Sequence, residues 1–268
     1  MSVLLPTRTV EKVWGRKELP TPFSNPGSEP MGEIWFKPPE ALPELLVKYI
    51  FASEKLSVQT RPDDDQAEAA GQGRQGKEEW IIPDAEPGAT IAVGFEEDID
   101  SDAIREAALV GSIEGLLHWH EVSAGDFFYI PANTVHAIGG GVSLLEVQQN
   151  SDITYRLYDY GRPRELHLDE AIAIAKGEPH PGDLRCAIPG TGGVELVDGP
   201  YFRLERVDGA AQPDLDGFAH APLLVMPTRG TAQVADVTVA SGACALADAP
   251  TDVTLSNDAL CFLAQPRI

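Results

Sequence analysis

Residues 125–141 read GDFFYIPANTVHAIGGG, and they predict two short β-strands joined by a forced turn. The aromatic residues before Ile130 alternate with other residues, as a half-buried strand requires. Pro131 fixes one backbone dihedral and Asn133 tolerates left-handed geometry, so the chain turns sharply after Ile130. His136 then opens a returning strand with a reproducible orientation. A lone histidine in a strand is more often a packing residue than a ligand, so the interpretation depends on the surrounding spacing.

That spacing resembles a known motif. Gly125, Pro131, Asn133 and His136 match the second conserved motif of the cupin β-barrels, with Asn133 where that motif usually has glycine. The longer stretch 131–162 is similar to the type I mannose-6-phosphate isomerases in their short bacterial form. Three upstream segments resemble the same family in the same order: 45–59, 61–64 and 76–80. The resemblance covers roughly the first two thirds of the chain.

The composition excludes several classes of partner. The formal net charge is −22 over 268 residues, and such a chain repels nucleic acid and anionic membrane surfaces. A sugar phosphate would also be repelled, so a phosphate site needs locally concentrated Lys and Arg. The three cysteines form no CxxC pair and predict small buried side chains in a reducing compartment. Without a signal peptide or a long apolar stretch, we expect a cytoplasmic protein with no obligate protein partner.

Frequent Pro and Gly, 22 and 25 residues, separate short apolar runs, which is typical of an all-β fold. The resemblance implies a mainly β, cupin-like (jelly-roll) β-barrel with a few short helices, followed by a smaller degenerate second β-barrel half. We predict a catalytic-type barrel over 1–180 and a smaller domain over 181–268. The pattern predicts helices over 63–75, 100–109 and 167–176, and C-terminal strands over 201–207, 222–226, 233–239 and 259–264.

The isomerase resemblance implies a zinc ion, or another divalent metal, held by four ligands. Carried over position by position, three of them are Gln59, Glu79 and His136. The fourth position, where the family has histidine, is Arg61. A guanidinium has no acceptor and stays protonated, so it cannot ligate a cation and repels one nearby. Three arrangements are open: Arg61 swings away from a weakened zinc, it replaces the metal electrostatically, or the site is inactive.

Other residues are candidates for contact with substrate. Ser57, Gln59 and Arg61 alternate along one strand and so share a face. The resemblance implies that Arg156 and Lys77 are catalytic, and that Ser57, Lys48, Glu33 and Arg61 bind the substrate. For Arg156 the simpler alternative is a surface ion pair with Asp152 or Asp159.

The implied function is interconversion of mannose 6-phosphate and fructose 6-phosphate by proton transfer through an enediol. One alternative is a non-catalytic cupin that binds a sugar phosphate, its metal site impaired by Arg61. Another is a cupin acting on a different sugar, with metal supplied through His118 and His120. That pair is otherwise interpreted as surface residues.

Overall fold

A computed structural model describes residues 2–71, 78–151, 153–211, 215 and 217–267. Three α-helices lie in these ranges: α1 Asp64–Ala69, α2 Ser101–Val110 and α3 Leu168–Ile174. The strands are β1 Val3–Leu4, β2 Thr7–Arg16, β3 Met31–Phe36, β4 Leu45–Phe51, β5 Val58–Thr60, β6 Glu78–Ala85, β7 Thr90–Phe95, β8 Leu117–Glu121, β9 Asp126–Ile130, β10 His136–Ile138, β11 Val142–Gln149, β12 Tyr155–Tyr158, β13 Arg185–Ala187, β14 Val194–Asp198, β15 Phe202–Asp208, β16 Leu223–Arg229, β17 Thr231–Val234, β18 Val237–Ala240, β19 Ala245–Ala247, β20 Val253–Leu255 and β21 Leu260–Pro266. Short 3₁₀ turns cover Ile113–Leu116, Gly182–Leu184, Gly209–Ala211 and Pro250–Asp252.

The strands form four stacked sheets. A seven-stranded sheet runs β13-β9-β6-β11-β4-β3-β2 and faces a five-stranded sheet, β12-β5-β10-β7-β8. Its other face packs on a six-stranded sheet, β1-β19-β16-β21-β15-β14, which in turn packs on β18-β17-β20. The mainly β, cupin-like prediction is confirmed, although the sheets are open rather than closed barrels.

The seven-stranded sheet is covered on both faces, and β4 shows how. Every residue of β4 is buried. Val47 and Tyr49 belong to the core shared with the six-stranded sheet, whereas Ile50 belongs to the core shared with the five-stranded sheet. Strand residues alternate sides, so Lys48 lies in the row of Ile50, between the seven- and five-stranded sheets.

The turn at 131–134 has the predicted geometry but a different destination. Asn133 has φ 72, and the Thr134 amide donates to the Pro131 carbonyl at 3.2 Å. However, β9 lies in the seven-stranded sheet and β10 in the five-stranded sheet, where His136 pairs with Gln59 and Val93. The prediction that β10 returns alongside β9 is therefore wrong. The turn carries the chain between sheets, and this places His136 on the wall opposite β6.

Two of the three described helices begin directly after a capping aspartate. The Asp63 side chain accepts from the Gln66 amide in a capping box, and Asp100 accepts from the Ala103 amide at 2.8 Å. Helix α1 ends at Ala69, short of its predicted end: 70–71 form a turn, and 72–75 lie outside the described residues. None of the helices in the described ranges has the length and apolarity needed to cross a membrane.

The C-terminal part departs from prediction at one strand. The segments at 201–207, 222–226 and 259–264 are strands, but 233–239 is not continuous, because Ala235 at φ 50 separates β17 from β18. Cys186 is exposed, contrary to expectation, whereas Cys244 and Cys261 are buried.

Two strands pair across the predicted domain boundary near residue 180. Strand β1 pairs with β19 in the C-terminal half, and β13 pairs with β9 in the N-terminal half. The division into 1–180 and 181–268 stays a prediction.

Candidate functional site

A cavity of about 510 Å³ lies between the seven- and five-stranded sheets. Six residues singled out from the sequence line it: Glu33, Lys48, Ser57, Gln59, Arg61 and Arg156. The first two come from one sheet, and the other four come from β5, its flanking residues and β12 in the other sheet. The cavity therefore brings together residues that lie far apart in the chain.

Gln59 and His136 meet on the five-stranded wall. Their Nε2 atoms are 3.2 Å apart, and the Gln59 Oε1 accepts from the Ser57 hydroxyl at 3.1 Å. His136 Nδ1 lies 3.0 Å from the Thr134 carbonyl and must donate to it, which leaves a lone pair on Nε2 for the Gln59 amide. Burial, with the positive charge of Arg61 next in importance, lowers the pKa of His136 to about 3. The imidazole is therefore neutral at ordinary pH.

Arg61 is buried beside this pair. Its Nη1 donates to the Ile153 carbonyl at 2.9 Å, and its own carbonyl accepts from the Asn133 amide at 2.8 Å. It is 7% exposed and lines the same cavity as Gln59. Both the backbone and the guanidinium of Arg61 are thus held by hydrogen bonds, and the side chain stays within the site.

The other predicted ligand, Glu79, is described only by its backbone. Glu79 lies in β6, where its backbone is paired with Val147 of β11 and with Tyr129 of β9. Its side chain lies outside the described part of the structure, as does the whole of Lys77.

The described residues do not fit a divalent metal ion. Two ligand atoms on a tetrahedral zinc, with bonds of about 2.0 Å, lie about 3.3 Å apart. The Gln59–His136 separation is close to this value, but the Gln59 atom at that distance is the amide nitrogen, which donates a hydrogen bond and cannot ligate a cation. The donor set decides against it, because a zinc site needs at least three protein ligands and the next residue on this face is a permanent cation. Within the described ranges, no group of three His, Cys, Asp or Glu residues could hold a metal ion.

Glu146 is a site residue that the sequence analysis missed. It is 1% exposed, forms an ion pair with Lys48 and accepts from the Trp80 indole nitrogen at 3.0 Å. Trp80 in turn meets the His136 ring edge-on, with centroids 5.2 Å apart. A contiguous network therefore joins the two walls of the cavity. The missed signal was an acidic residue inside the apolar run 142–147, just as Lys48 interrupts 45–51.

Glu33 lines the same cavity and is buried. One of its oxygens accepts from the Trp35 indole nitrogen at 2.5 Å, and the other is 3.6 Å from the ammonium of Lys12. The Lys48 ammonium stands over the Trp35 ring, 5.1 Å from its centroid. Carboxylates and cations therefore alternate along this wall.

Arg156 lies on the opposite wall and is only partly buried. Its Nη1 donates to the Glu165 carbonyl at 3.0 Å. Burial, and then the neighbouring Arg164, lower the pKa of its guanidinium. The ion pair with Asp159 that offered a simpler role for Arg156 is made instead by Arg164, through two hydrogen bonds of 2.6 Å. The other suggested partner, Asp152, lies outside the described residues.

The charge lining the cavity contrasts with that of the chain. Among the residues that the structure describes, five cations line it against three carboxylates, in a chain of net charge −22. The cations are Lys12, Lys48, Arg61, Arg156 and Arg164, and the carboxylates are Glu33, Glu146 and Glu165. Such local concentration is what an anionic ligand requires.

His118 and His120 lie away from this cavity, on β8. His120 is only 6% exposed, so its interpretation as a surface residue is wrong. Arg185 Nη1 donates to its Nδ1 at 2.5 Å, and burial, together with His118, lowers its pKa to about 4. A guanidinium against the ring opposes the metal role considered for this pair.

Stacked antiparallel sheets with a polar cavity between two of them define a cupin-fold protein. No protein-family model matches the chain. Its sequence is similar to mannose-6-phosphate isomerases. The Streptococcus mutans protein of that name is 38% identical over 171 residues, which cover 60% of this chain and 54% of that protein. Mannose-6-phosphate isomerase ManA of Bacillus subtilis is 43% identical over 137 residues, covering 48% and 43%. The matched segments thus span about half the length of these relatives.

Solved structures extend the similarity to nearly the whole chain. The crystal structure of the Bacillus subtilis mannose 6-phosphate isomerase has a TM-score of 0.81 and 25% identity, covering 98% of this chain and 99% of that one. A zinc-bound mannose 6-phosphate isomerase has a TM-score of 0.73 and 15% identity, covering all of both chains. The resemblance found in the motifs is confirmed.

Proposed function

We propose that this chain interconverts mannose 6-phosphate and fructose 6-phosphate. The observation that carries the proposal is the cavity, whose described lining sets five cations against three carboxylates in an acidic chain. The names of the similar proteins supply the sugar phosphate. Its dianionic phosphate explains why a chain of net charge −22 would keep a cationic pocket.

The reaction moves one proton between adjacent carbons. A base removes the proton from C2 of the open-chain aldose, the C–H electron pair forms the C1–C2 double bond, and the carbonyl electrons move to O1. Return of a proton to C1, with transfer of the O2 proton to O1, gives the ketose. The enzyme must supply a proton acceptor and stabilise the developing oxyanion.

The cavity residues can divide these tasks. Glu33 and Glu146 are the described carboxylates able to accept the proton, and Arg156 holds a cation where the enediolate forms. Lys48 and Ser57 offer donors to the phosphate, with Arg61 and Glu33 completing the contacts to substrate. Lys77, whose structure is not described, remains a proposed catalytic residue by resemblance.

A divalent metal would stabilise the enediolate as a Lewis acid, and the zinc-bound isomerase gives the precedent. In this chain Gln59 and His136 are the described residues at the ligand positions that the resemblance implies, with Glu79 a proposed third. Because Arg61 adjoins them, we assign no step to a metal. A cytoplasmic location is also proposed, supported by three unpaired cysteines.

The test is an isomerisation assay on the purified chain. Mannose 6-phosphate in D₂O should yield fructose 6-phosphate, with deuterium incorporated at the migrating position and detected by NMR. Mannose should react far more slowly, because it lacks the phosphate that the cations bind.

Arg156→Ala should lower kcat by about 100-fold, the usual loss on removing one group that stabilises an oxyanion. The matched control is Arg105→Ala, since Arg105 lies on α2 and pairs with Asp169 away from the cavity. Equal activities of the two variants, or no conversion by the unchanged chain, would refute the proposal.

A further inference from the structure

We propose that the guanidinium of Arg61, acting with Arg156, supplies to the enediolate oxygen the positive charge that a divalent metal would otherwise supply, so that isomerisation proceeds without a bound divalent metal. The inference rests on the proposed function and adds the source of electrostatic stabilisation. No bond to Arg61 forms or breaks, and its guanidinium keeps its protons throughout.

The first support is position. Arg61 lies two residues beyond Gln59 along the same strand direction, so both side chains reach the one cavity. The imidazole of His136, across from Gln59, uses its Nδ1 on the Thr134 carbonyl and its Nε2 on the Gln59 amide. These two neutral groups already satisfy each other beside a permanent cation. A divalent ion would have to break that pair and sit against a like charge.

The second observation that supports the proposal is that the Arg61 side chain is held in place before any substrate binds. The backbone of Arg61 is bonded to the left-handed Asn133 turn, and its Nη1 to the carbonyl of Ile153, just before the neighbouring strand β12. An arginine on the surface loses much rotamer freedom when it binds an anion, whereas this one is ordered beforehand. A preorganised cation facing a partly enclosed cavity is the arrangement that stabilises a developing oxyanion.

Arg61 also has a purely structural alternative role, namely tying the segment around Ile153 to β5. The two roles predict different losses. A structural tie would affect folding and substrate affinity, whereas an oxyanion contact affects kcat. The experiment must therefore separate kcat from KM and measure stability independently.

The experiment begins with the unchanged chain. Its zinc, manganese, cobalt and iron contents are measured by mass spectrometry before and after dialysis against EDTA, and turnover is measured on the same samples. We expect well below one metal ion per chain and a turnover that the chelator leaves unchanged. This measurement needs no variant and so does not depend on a variant folding.

Three variants then test the residue itself. Arg61→Ala should lose about 100-fold in kcat with KM changed less than threefold, and added guanidinium chloride at millimolar levels should restore part of the loss. Arg61→Lys should retain more turnover than Arg61→Ala, because it keeps the charge. Arg61→His should bind Zn²⁺ or Co²⁺ measurably more tightly than the unchanged chain, since it removes the charge and adds a ligand. Arg105→Ala is the control, and thermal unfolding checks each fold.

The possible failures are distinguishable. Near-stoichiometric metal whose removal abolishes turnover would overturn the inference while leaving the isomerase proposal standing. So would an Arg61→Ala variant that keeps its kcat, or one that loses only stability and is not restored by guanidinium. No isomerisation by the unchanged chain, with or without added Zn²⁺, would overturn the proposed function and this inference together.

Discussion

Acid should destabilise the folded chain through one buried imidazole. His136 is 1% exposed, and burial with the nearby Arg61 lowers its pKa from 6.5 to about 3. Below pH 6.5 the unfolded chain takes up a proton at this histidine, whereas the folded chain does not until near pH 3. The unfolded state is therefore favoured as the pH falls through this window, and the stability is recovered above it.

The expected loss of stability follows from how far the pH lies below the ordinary pKa of histidine. At pH 5 the solution is 1.5 units below the ordinary pKa of 6.5, and each unit corresponds to about 1.4 kcal/mol. His136 should therefore account for about 2 kcal/mol of stability lost between pH 8 and pH 5. Other groups titrate in the same range, so the wild-type curve alone cannot isolate this contribution.

Replacing His136 isolates its contribution to the pH dependence of stability. The free energy of unfolding is measured by urea titration at pH 8, 6.5 and 5, in EDTA, for the unchanged chain and for His136→Asn. The variant will be less stable at every pH, but its loss between pH 8 and 5 should be smaller by about 2 kcal/mol. His220→Asn is the control, because it makes the same substitution at an exposed histidine and removes no buried imidazole. Parallel curves for the unchanged chain and His136→Asn would refute the reasoning.

Three further predictions concern packing and capping. Lys48→Met should lower the free energy of unfolding by about 3–5 kcal/mol, because it leaves Glu146 charged and buried. Adding Glu146→Gln should recover part of that loss in a double-mutant cycle measured by urea unfolding, and strictly additive losses would contradict the coupling of the two residues. Gly139→Ala should lower the free energy of unfolding by about 1–3 kcal/mol, since a Cβ there would lie 2.2 Å from the Thr90 carbonyl oxygen. Gly115→Ala, whose Cβ would have nothing within 4 Å, should leave thermal unfolding nearly unchanged. Asp100→Ala should cost about 1 kcal/mol by removing the cap of α2, and an equal loss for the neighbouring non-capping Asp102→Ala would contradict that assignment.

Some of the site was predictable because it depends on local chemistry. The left-handed Asn133, the caps of α1 and α2, and the alternation that puts Ser57, Gln59 and Arg61 on one cavity follow from residues close together in the chain. The arginine at position 61, on which the proposed metal-free chemistry rests, is likewise evident from the sequence alone. Such features need no knowledge of which strands become neighbours.

The rest required the fold. The turn after Ile130 is local, but its role in moving the chain from one sheet to another is set by strand pairing. The bonding of Glu146 to both Lys48 and Trp80 arises because β11 lies between β4 and β6, an order that periodicity does not encode.

The sequence by itself therefore determined the turns, the helix starts and the residue types that the cavity contains. Only the tertiary structure decided that His136 bonds to Gln59 beside a guanidinium, because those contacts depend on long-range strand order and on burial, which no local pattern specifies.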